Sequence, residues 1–560
     1  MAEAPREGPR GASDIFRRTS SRRLSNLAAN NSNSERRLEM DRGSGSTLAP
    51  WMAADLPSYA SLEGEHDADV CVVGAGIAGL STAYELALAG RSVIVLEDGE
   101  VASGETSRTT AHLTAAFDDR YDAMERLHGP RGATLLADSH SAAIDRIEQI
   151  VRAERIDCRF ERLDGYLFMP PGDPQDPLER ELDACHRAGL WDVEWAERAP
   201  IADFHTGRCL RFPNQAQFHP RLYLAGLLAA LRDRHARVFT KSHVTAVEHR
   251  EENGQIEVKT ERGTVRCNDA VIATNTPVND WVTMHTKQYP YRTYVIAAPI
   301  PKDAWTPGLY WDTAQPYHYV RGFVDGAGHT LLISGGEDHK TGQEDDGRDR
   351  WSALESWTRE RFPHLGEVRY RWSGQVLEPM DGVAFIGRNP GDRDGVWIAT
   401  GDSGNGMTHG AIAGMLLRDL ILGGENEWAK VYDPSRRTLR AAGEFAKENL
   451  NMVAQYGDWL TPGEVKSEDE IPKNSGAIVR HGLHKHAVYR DARGQLHRCS
   501  ATCPHLGAIL SWNSAECTWD CPAHGSRFDP YGQVINGPAN GNLAPADEHA
   551  HEHGETRRAG

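Results

Sequence analysis

Asp69-Val70-Cys71-Val72-Val73-Gly74-Ala75-Gly76-Ile77-Ala78-Gly79 is the stretch that decides the fold of this chain. Its first five residues read as a buried parallel strand. The glycines then turn the backbone sharply, and apolar residues recur at helical spacing through Leu80, Ala83, Leu86 and Ala87. A second apolar strand, Ser92-Val93-Ile94-Val95-Leu96, ends at Glu97. Glycines at 74, 76 and 79 in a strand–turn–helix setting, with an acid about twenty residues on, form a dinucleotide-binding fingerprint. Gly74, Gly76, Ile77, Ala78 and Gly79 let the backbone approach a diphosphate, whose charge the helix N-terminus meets. Glu97 is placed to accept hydrogen bonds from the adenosine ribose.

A second unit of the same kind lies far downstream. Val396-Trp397-Ile398-Ala399-Thr400 reads as a strand, followed by Gly401-Asp402-Ser403-Gly404-Asn405-Gly406-Met407-Thr408 and a helix through Leu420. With this second turn the chain resembles the D-amino-acid-oxidase-like superfamily of FAD-dependent oxidoreductases. The resemblance covers about 66–450 and implies FAD rather than NAD. It implies that Gly401, Gly404, Asn405, Gly406, Met407 and Thr408 approach the flavin pyrimidine ring, where N–H groups and a helix dipole stabilise the negative charge of reduced flavin. It also implies contacts from Thr106, Thr109 and Thr110 in the loop after Glu97, from Val244 beneath the adenine, and from Ala273 and Thr274 on a returning strand. His112 stands where some relatives attach FAD covalently, but their local pattern is missing.

Near the C-terminus stand two cysteine–histidine boxes, Cys503-Pro504-His505-Leu506-Gly507 and Cys521-Pro522-Ala523-His524-Gly525-Ser526-Arg527-Phe528. One Cys and one His from each of two loops, Cys503, His505, Cys521 and His524, is the ligand set of a Rieske [2Fe–2S] centre. Cys2His2 is also a zinc set, but zinc sites usually pair C-x2-4-C with H-x3-5-H, whereas each box here mixes the two residue types. Gly537-Pro538-Ala539 with Leu543 resembles the turn that closes Rieske domains. Some high-potential relatives carry an extra cysteine after each box and join the two as a disulfide. Ala508 and Ala523 stand in those places, and Phe528 lacks a hydroxyl found in some relatives. Fewer hydrogen bonds to sulfur mean a lower potential, so the expectation is the lower half of the roughly −150 to +300 mV Rieske range.

The fold expected is therefore an α/β FAD-binding Rossmann-like domain with an inserted antiparallel β substrate domain, followed by a small all-β Rieske domain. The oxidoreductase domain spans 66–450, with substrate-domain segments at about 161–220 and 286–364. A polar linker over 451–474, able to tether or swing the cluster, leads to a cluster domain over 475–546. Residues 1–60 and 547–560 are expected to be disordered extensions. Arg-Arg pairs near the N-terminus lack the apolar stretch of a twin-arginine signal, and Met40 is a conceivable start.

The densest polar–aromatic cluster is Tyr317-His318-Tyr319-Val320-Arg321, with His339 nearby in Gly335–Lys340. Strand alternation sends Tyr317, Tyr319 and Arg321 to one face and His318 to the other. An Arg with two Tyr is a possible carboxylate clamp, and His318 or His339 a possible acceptor of an ammonium proton. A sheet face carrying ordinary surface polar groups is the alternative.

A net charge of −18 argues against nucleic acid and anionic membranes as partners. No stretch is long and apolar enough for a transmembrane helix. Of nine cysteines, the five outside the cluster region are scattered, which fits reduced thiols in a cytoplasm. The combined expectation is a dehydrogenase of a small amine or amino-acid-like substrate. Hydride passes to FAD, electrons pass singly to the cluster, and an external one-electron acceptor such as a ferredoxin-like protein takes them away. Alternatives are a non-catalytic electron-transfer or redox-sensing protein, or a reductase running from cluster to flavin.

Overall fold

The computed structural model describes residues 43–250, 254–277, 284–482 and 484–546. The expected disorder of 1–42 and 547–560 lies outside them.

The opening fingerprint folds as read. Val70–Val73 is buried throughout and pairs in parallel with Val93–Leu96 on one side and Asp269–Ile272 on the other. Among the described residues the sheet runs in the order 385–388, 396–400, 269–272, 70–73, 93–96, 237–239, with only the edge strand Phe385–Arg388 antiparallel. Alternation splits the central strand: Val70 and Val72 pack under the helices, Cys71 and Val73 against a second, four-stranded sheet that includes Val244–His249. The helices Ile77–Leu88 and Gly406–Ile421 lie in close contact because Gly410 and Gly414 carry no side chain. A Cβ at Gly414 would stand 2.9 Å from the Ser81 backbone, and one at Gly410 2.8 Å from Ile77. That closeness brings both helix N-termini to one cavity.

Above this layer stands a nine-stranded substrate sheet, counted among the described residues. It takes in the expected segments and extends beyond them, to His112–Leu113 and Tyr370–Pro379. It is antiparallel except where Leu309–Asp312 runs parallel to Glu161–Phe168. The C-terminal domain consists of two small antiparallel sheets, Ser475–Ser500 and Ser511–Asn536.

Two boundaries differ from the sequence reading. Residues 43–60 were expected to lack order, yet Trp51 is completely buried, with its indole N–H donating to the Thr109 carbonyl at 3.0 Å. The segment 451–474 was expected to be a polar tether. Its first residues finish the helix Ala442–Gln455, and Glu464 and Val465 pair with Ile478 and Val479 of the cluster domain.

The two domains meet across a buried network of charges. Arg108 and Glu516 pair at 3.1 Å with side chains almost without exposure. The Glu516 carboxylate also accepts from Ser373 and Thr47 hydroxyls at 2.5 Å each. Arg292 and Arg527 converge on Asp520 at 3.9 and 3.1 Å, and Arg292 donates to Ser373. Burial pushes the Glu516 carboxyl up, but Arg108, Arg292 and Arg527 outweigh it and hold it below its ordinary range.

Glu516→Ala strands buried guanidiniums and should cost about 3–5 kcal/mol of stability, read as a lowered unfolding midpoint with cleavage between the domains. Because the Glu516 pKa is depressed on folding, its contribution is present above about pH 4 and is lost as pH falls through the folded value. Domain docking should therefore hold at neutral pH and weaken only in acid.

Candidate active site and cluster centre

One cavity of about 410 Å³ follows the opening fingerprint and ends beneath the substrate sheet. Gly74, Gly76, Ile77, Ala78, Glu97, Thr106, Thr109, Thr110, Val244, Ala273, Thr274, Gly404, Asn405, Gly406 and Met407 all contribute to its wall. Gly79, Gly401 and Thr408 do not. At Gly79 a Cβ would lie 1.9 Å from the Gly74 carbonyl, so this glycine lets the helix approach the strand. Gly401 begins the late turn at φ +75, and the Thr408 hydroxyl is spent on the Thr114 carbonyl at 3.4 Å.

The cavity suits FAD. The helix starting at Ile77 has a glycine N-cap with no side chain of its own; the Thr106 hydroxyl accepts from Ile77 N–H at 3.1 Å, and the remaining N-terminal dipole suits a diphosphate. A Cβ at Gly74 would stand 2.4 Å from the Ala273 carbonyl, so that wall of the cavity is bare backbone. Glu97 accepts from Ala75 N–H at 2.6 Å, and burial beside Asp98 pushes its carboxyl up. The Gly406 helix likewise presents an uncapped N-terminus at the far end.

At that far end stand Trp311 and Tyr319 of the sheet and Tyr317, just before the strand His318–Val324, with Asp118 and Asp402. Asp118 accepts from the Tyr317 hydroxyl at 3.1 Å and lies against Gly404. Burial and the neighbouring Asp119 push its carboxyl up to about 7. Asp402 is pushed up to about 6 by burial and by Glu105. Nearby Asp338 is raised to about 7, chiefly by burial, and Glu378 is raised too while accepting from Ser403 at 2.8 Å. Arg108 is the one guanidinium on the described wall, and it is committed to Glu516.

Of the five residues picked out for catalysis, Tyr317 and Tyr319 reach the cavity and the other three do not. Arg321 shares their strand face, but it donates to the carbonyls of Thr110, Ala111 and Phe218 at 2.9, 2.6 and 3.3 Å. That engagement removes it as a carboxylate clamp. His318 is held between Asp312 and Glu337 at 3.1 and 3.2 Å and stacks on Trp357. His339 bonds Tyr294 at 2.9 Å and is held down to about 4 by burial. Neither is placed to take a substrate proton. Asp118 was missed because nothing but a short acidic pair after Ala115-Ala116-Phe117 marks it in the sequence. His112 lies on the cavity wall with its ring edge-on to Tyr319.

The cluster boxes form two loops of the same build. In each, the cysteine N–H donates to the carbonyl five residues on, and the N–H four residues on returns to the cysteine carbonyl, all at 2.8–3.0 Å. The two histidine rings stand edge to face, 4.9 Å apart. Contact with Cys521, N–H groups of His505 and Leu506, and the Ser526 hydroxyl hold the Cys503 thiol below its usual range; the same contact pushes Cys521 up. Among the described residues no three Cys, His, Asp or Glu side chains gather tightly enough for a single ion. Two pairs on facing loops suit a two-iron cluster, which spreads its ligands over two metals, and fit a lone zinc poorly.

Fold and sites together define a flavin-dependent oxidoreductase carrying an iron–sulfur domain. The chain belongs to the FAD-dependent oxidoreductase family, whose model matches residues 69–420, and a Rieske [2Fe–2S] domain matches 461–547. It is 32% identical over 492 residues to the putative Rieske 2Fe-2S iron-sulfur protein YhfW of Bacillus subtilis (strain 168), covering 87% of this chain and 95% of that one. It is 27% identical over 419 residues to gamma-glutamylputrescine oxidoreductase of Escherichia coli (strain K12), covering 70% and 94%. In fold it is similar to glycine oxidase from Geobacillus kaustophilus, with a TM-score of 0.55 at 20% identity over 66% of this chain and 99% of that one. No described helix is long and apolar enough to cross a membrane.

Gly404 tests the layout of the cavity's far end. A Cβ at this φ of +71 would lie 2.1 Å from the Asp118 carboxylate. Gly404→Ala should lower the ratio of bound flavin to protein, measured by absorbance after purification, while leaving the iron content unchanged.

Proposed function

We propose that this protein oxidises a small amine or amino-acid-like substrate, with electrons leaving one at a time through the Rieske cluster to an external acceptor. FAD, when bound, accepts a hydride from the carbon beside the amine, and a [2Fe–2S] cluster carries single electrons.

The observation that carries the reading is Gln375. It is part of the cavity wall, and its side-chain amide donates at 3.0 Å to the carbonyl of Gly525, the residue after cluster ligand His524. One side chain thus spans from the dinucleotide cavity to the cluster loop. Gly525 adopts φ +78, and a Cβ there would stand 2.5 Å from Pro290 and 2.9 Å from the Gln375 amide. Its lack of a side chain is what permits the approach. The cluster histidines are buried and face inward, His505 against the His285 ring at 4.9 Å and His524 at 6.3 Å. On the other side, Leu506 is exposed, and Tyr456 and Trp459 donate to the carbonyls of Leu506 and Gly507. An external acceptor would approach over this first box.

The acidic far end favours the amine side of the substrate class. Carboxylates at Asp118 and Asp402 attract an ammonium group, and no uncommitted arginine of the described wall offers to clamp a carboxylate. The name of the Escherichia coli relative, an oxidoreductase of gamma-glutamylputrescine, points to the same chemistry. Asp118 in its ionised form would hold the ammonium and take up its proton, leaving the neutral amine that oxidation needs. The two tyrosines and Trp311 would shield the reacting carbon from water.

Anaerobic mixing with an amine library tests the proposal. A substrate should bleach the flavin, and a reduced-cluster electron paramagnetic resonance signal should follow. Gln375→Ala should leave flavin bleaching intact and slow cluster reduction about ten- to hundredfold. If no compound bleaches the flavin while a carrier protein reduces it through the cluster, the reverse direction holds instead. Asp118 gains its charge as pH rises through about 7, so kcat/KM should climb through that range and level off; Asp118→Asn should remove the climb.

A further inference from the structure

The cavity wall includes a segment the FAD-binding domain does not supply. Val534, Ile535, Asn536, Gly537, Ala539 and Asn540, from the turn that closes the cluster domain, stand along it together with Glu97, Asp98 and Val244. Three hydrogen bonds hold the turn there. His243 donates to the Asn540 carbonyl at 3.2 Å, the Asn540 side-chain amide donates to the Val244 carbonyl at 3.2 Å, and the Asn536 amide donates to Glu105 at 3.4 Å. Behind the turn, Ala539 N–H donates to the hydroxyl of Ser526, two residues after His524 in the second cluster box. A single serine therefore joins the second cluster box to the wall of the dinucleotide cavity.

We infer that the cluster domain is part of the FAD site. Its closing turn covers the adenosine–diphosphate half of the cofactor, Asn540 contacts that half directly, and the two cofactors retain one another. Two observations support the contact. The Asn540 Oδ1 is buried and accepts no hydrogen bond among the described residues, although the Nδ2 of the same amide is paired. A buried acceptor without a donor is costly, and the adenosine half of FAD supplies donors in its ribose hydroxyls and adenine amino group. Asn540 also stands beside Val244 on the strand expected beneath the adenine, and next to His243, whose ring lies 3.7 Å from Asp98 at the ribose end of the wall.

The consequence is thermodynamic linkage. A cofactor gripped by both domains stabilises their docked arrangement, and a docked, cluster-loaded domain slows cofactor release. Neither effect depends on which substrate is oxidised or in which direction electrons run, so this inference and the proposed function fail separately.

Flavin fluorescence, which is regained when FAD leaves the protein, tests it on the full chain. Asn540→Ala should weaken FAD binding about tenfold, the loss of one ordinary hydrogen bond, with iron content and the reduced-cluster resonance signal unchanged. Asn540→Asp keeps the volume and adds a negative charge near the diphosphate and Glu97, and it should weaken FAD further. Protein produced under iron limitation, still of full length and folded by circular dichroism, should release FAD faster than cluster-loaded protein. Loss of FAD should in turn speed loss of the cluster to an iron chelator. Wild-type FAD affinity in both Asn540 variants, together with equal FAD release with and without the cluster, would overturn the inference.

Discussion

The molecule depends on ion pairs placed where water cannot reach them. Arg108, Glu516, Arg292, Asp520 and Arg527 stand at the junction of two domains, almost without exposure. Such charges cost much to bury and repay it only in the right geometry. They therefore act as a register: the cluster domain fits in the one position where every guanidinium meets its carboxylate. The segment 43–47 completes the fit, with Thr47 on Glu516 and the Ser44 carbonyl on Arg527. Everything that joins the cofactor sites, from Gln375 on Gly525 to Asn540 on Val244, follows from that position.

Much of this was legible in the sequence because the signals are local. A strand, a glycine turn and a helix occupy consecutive residues, so Gly74, Gly76 and Glu97 announce their surroundings. The cluster boxes do the same, since each loop carries a cysteine and a histidine within four residues. The long-range facts were not legible. Nothing near Arg321 reveals that three carbonyls from two other segments will claim its guanidinium, and Asp118 gains its place only when the late turn at Gly404 folds against it. A polar stretch such as 461–474 reads as a tether until its partner strand is known. Pairing of Val465 with Val479 turns the same composition into an edge of the cluster domain.

The two helix N-termini show how packing serves the site. Neither N-cap residue uses its own side chain, and although the Thr106 hydroxyl accepts from Ile77 N–H, both ends keep partial positive charge facing one cavity. Gly410 and Gly414 allow the two helices to approach until those ends meet the same ligand. The balancing negative charge sits at the substrate end, on Asp118 and Asp402. At the far end the N-terminus of the Gly406 helix and the acceptors Asp118 and Asp402 therefore stand side by side, a donor end for a cofactor next to acceptors for an amine.

The inward turn of His505 and His524 has a further meaning for how electrons move. Both rings lie under protein, next to His285, and both cysteines are buried with them. When charge arrives at such a centre, few water dipoles are at hand to swing round, and the surrounding N–H groups are already fixed in direction. The reorganisation that usually raises the barrier to electron transfer is correspondingly small. In the electron path proposed above, distance and the difference in potential between the two centres, rather than the motion of solvent, would set the pace of each step.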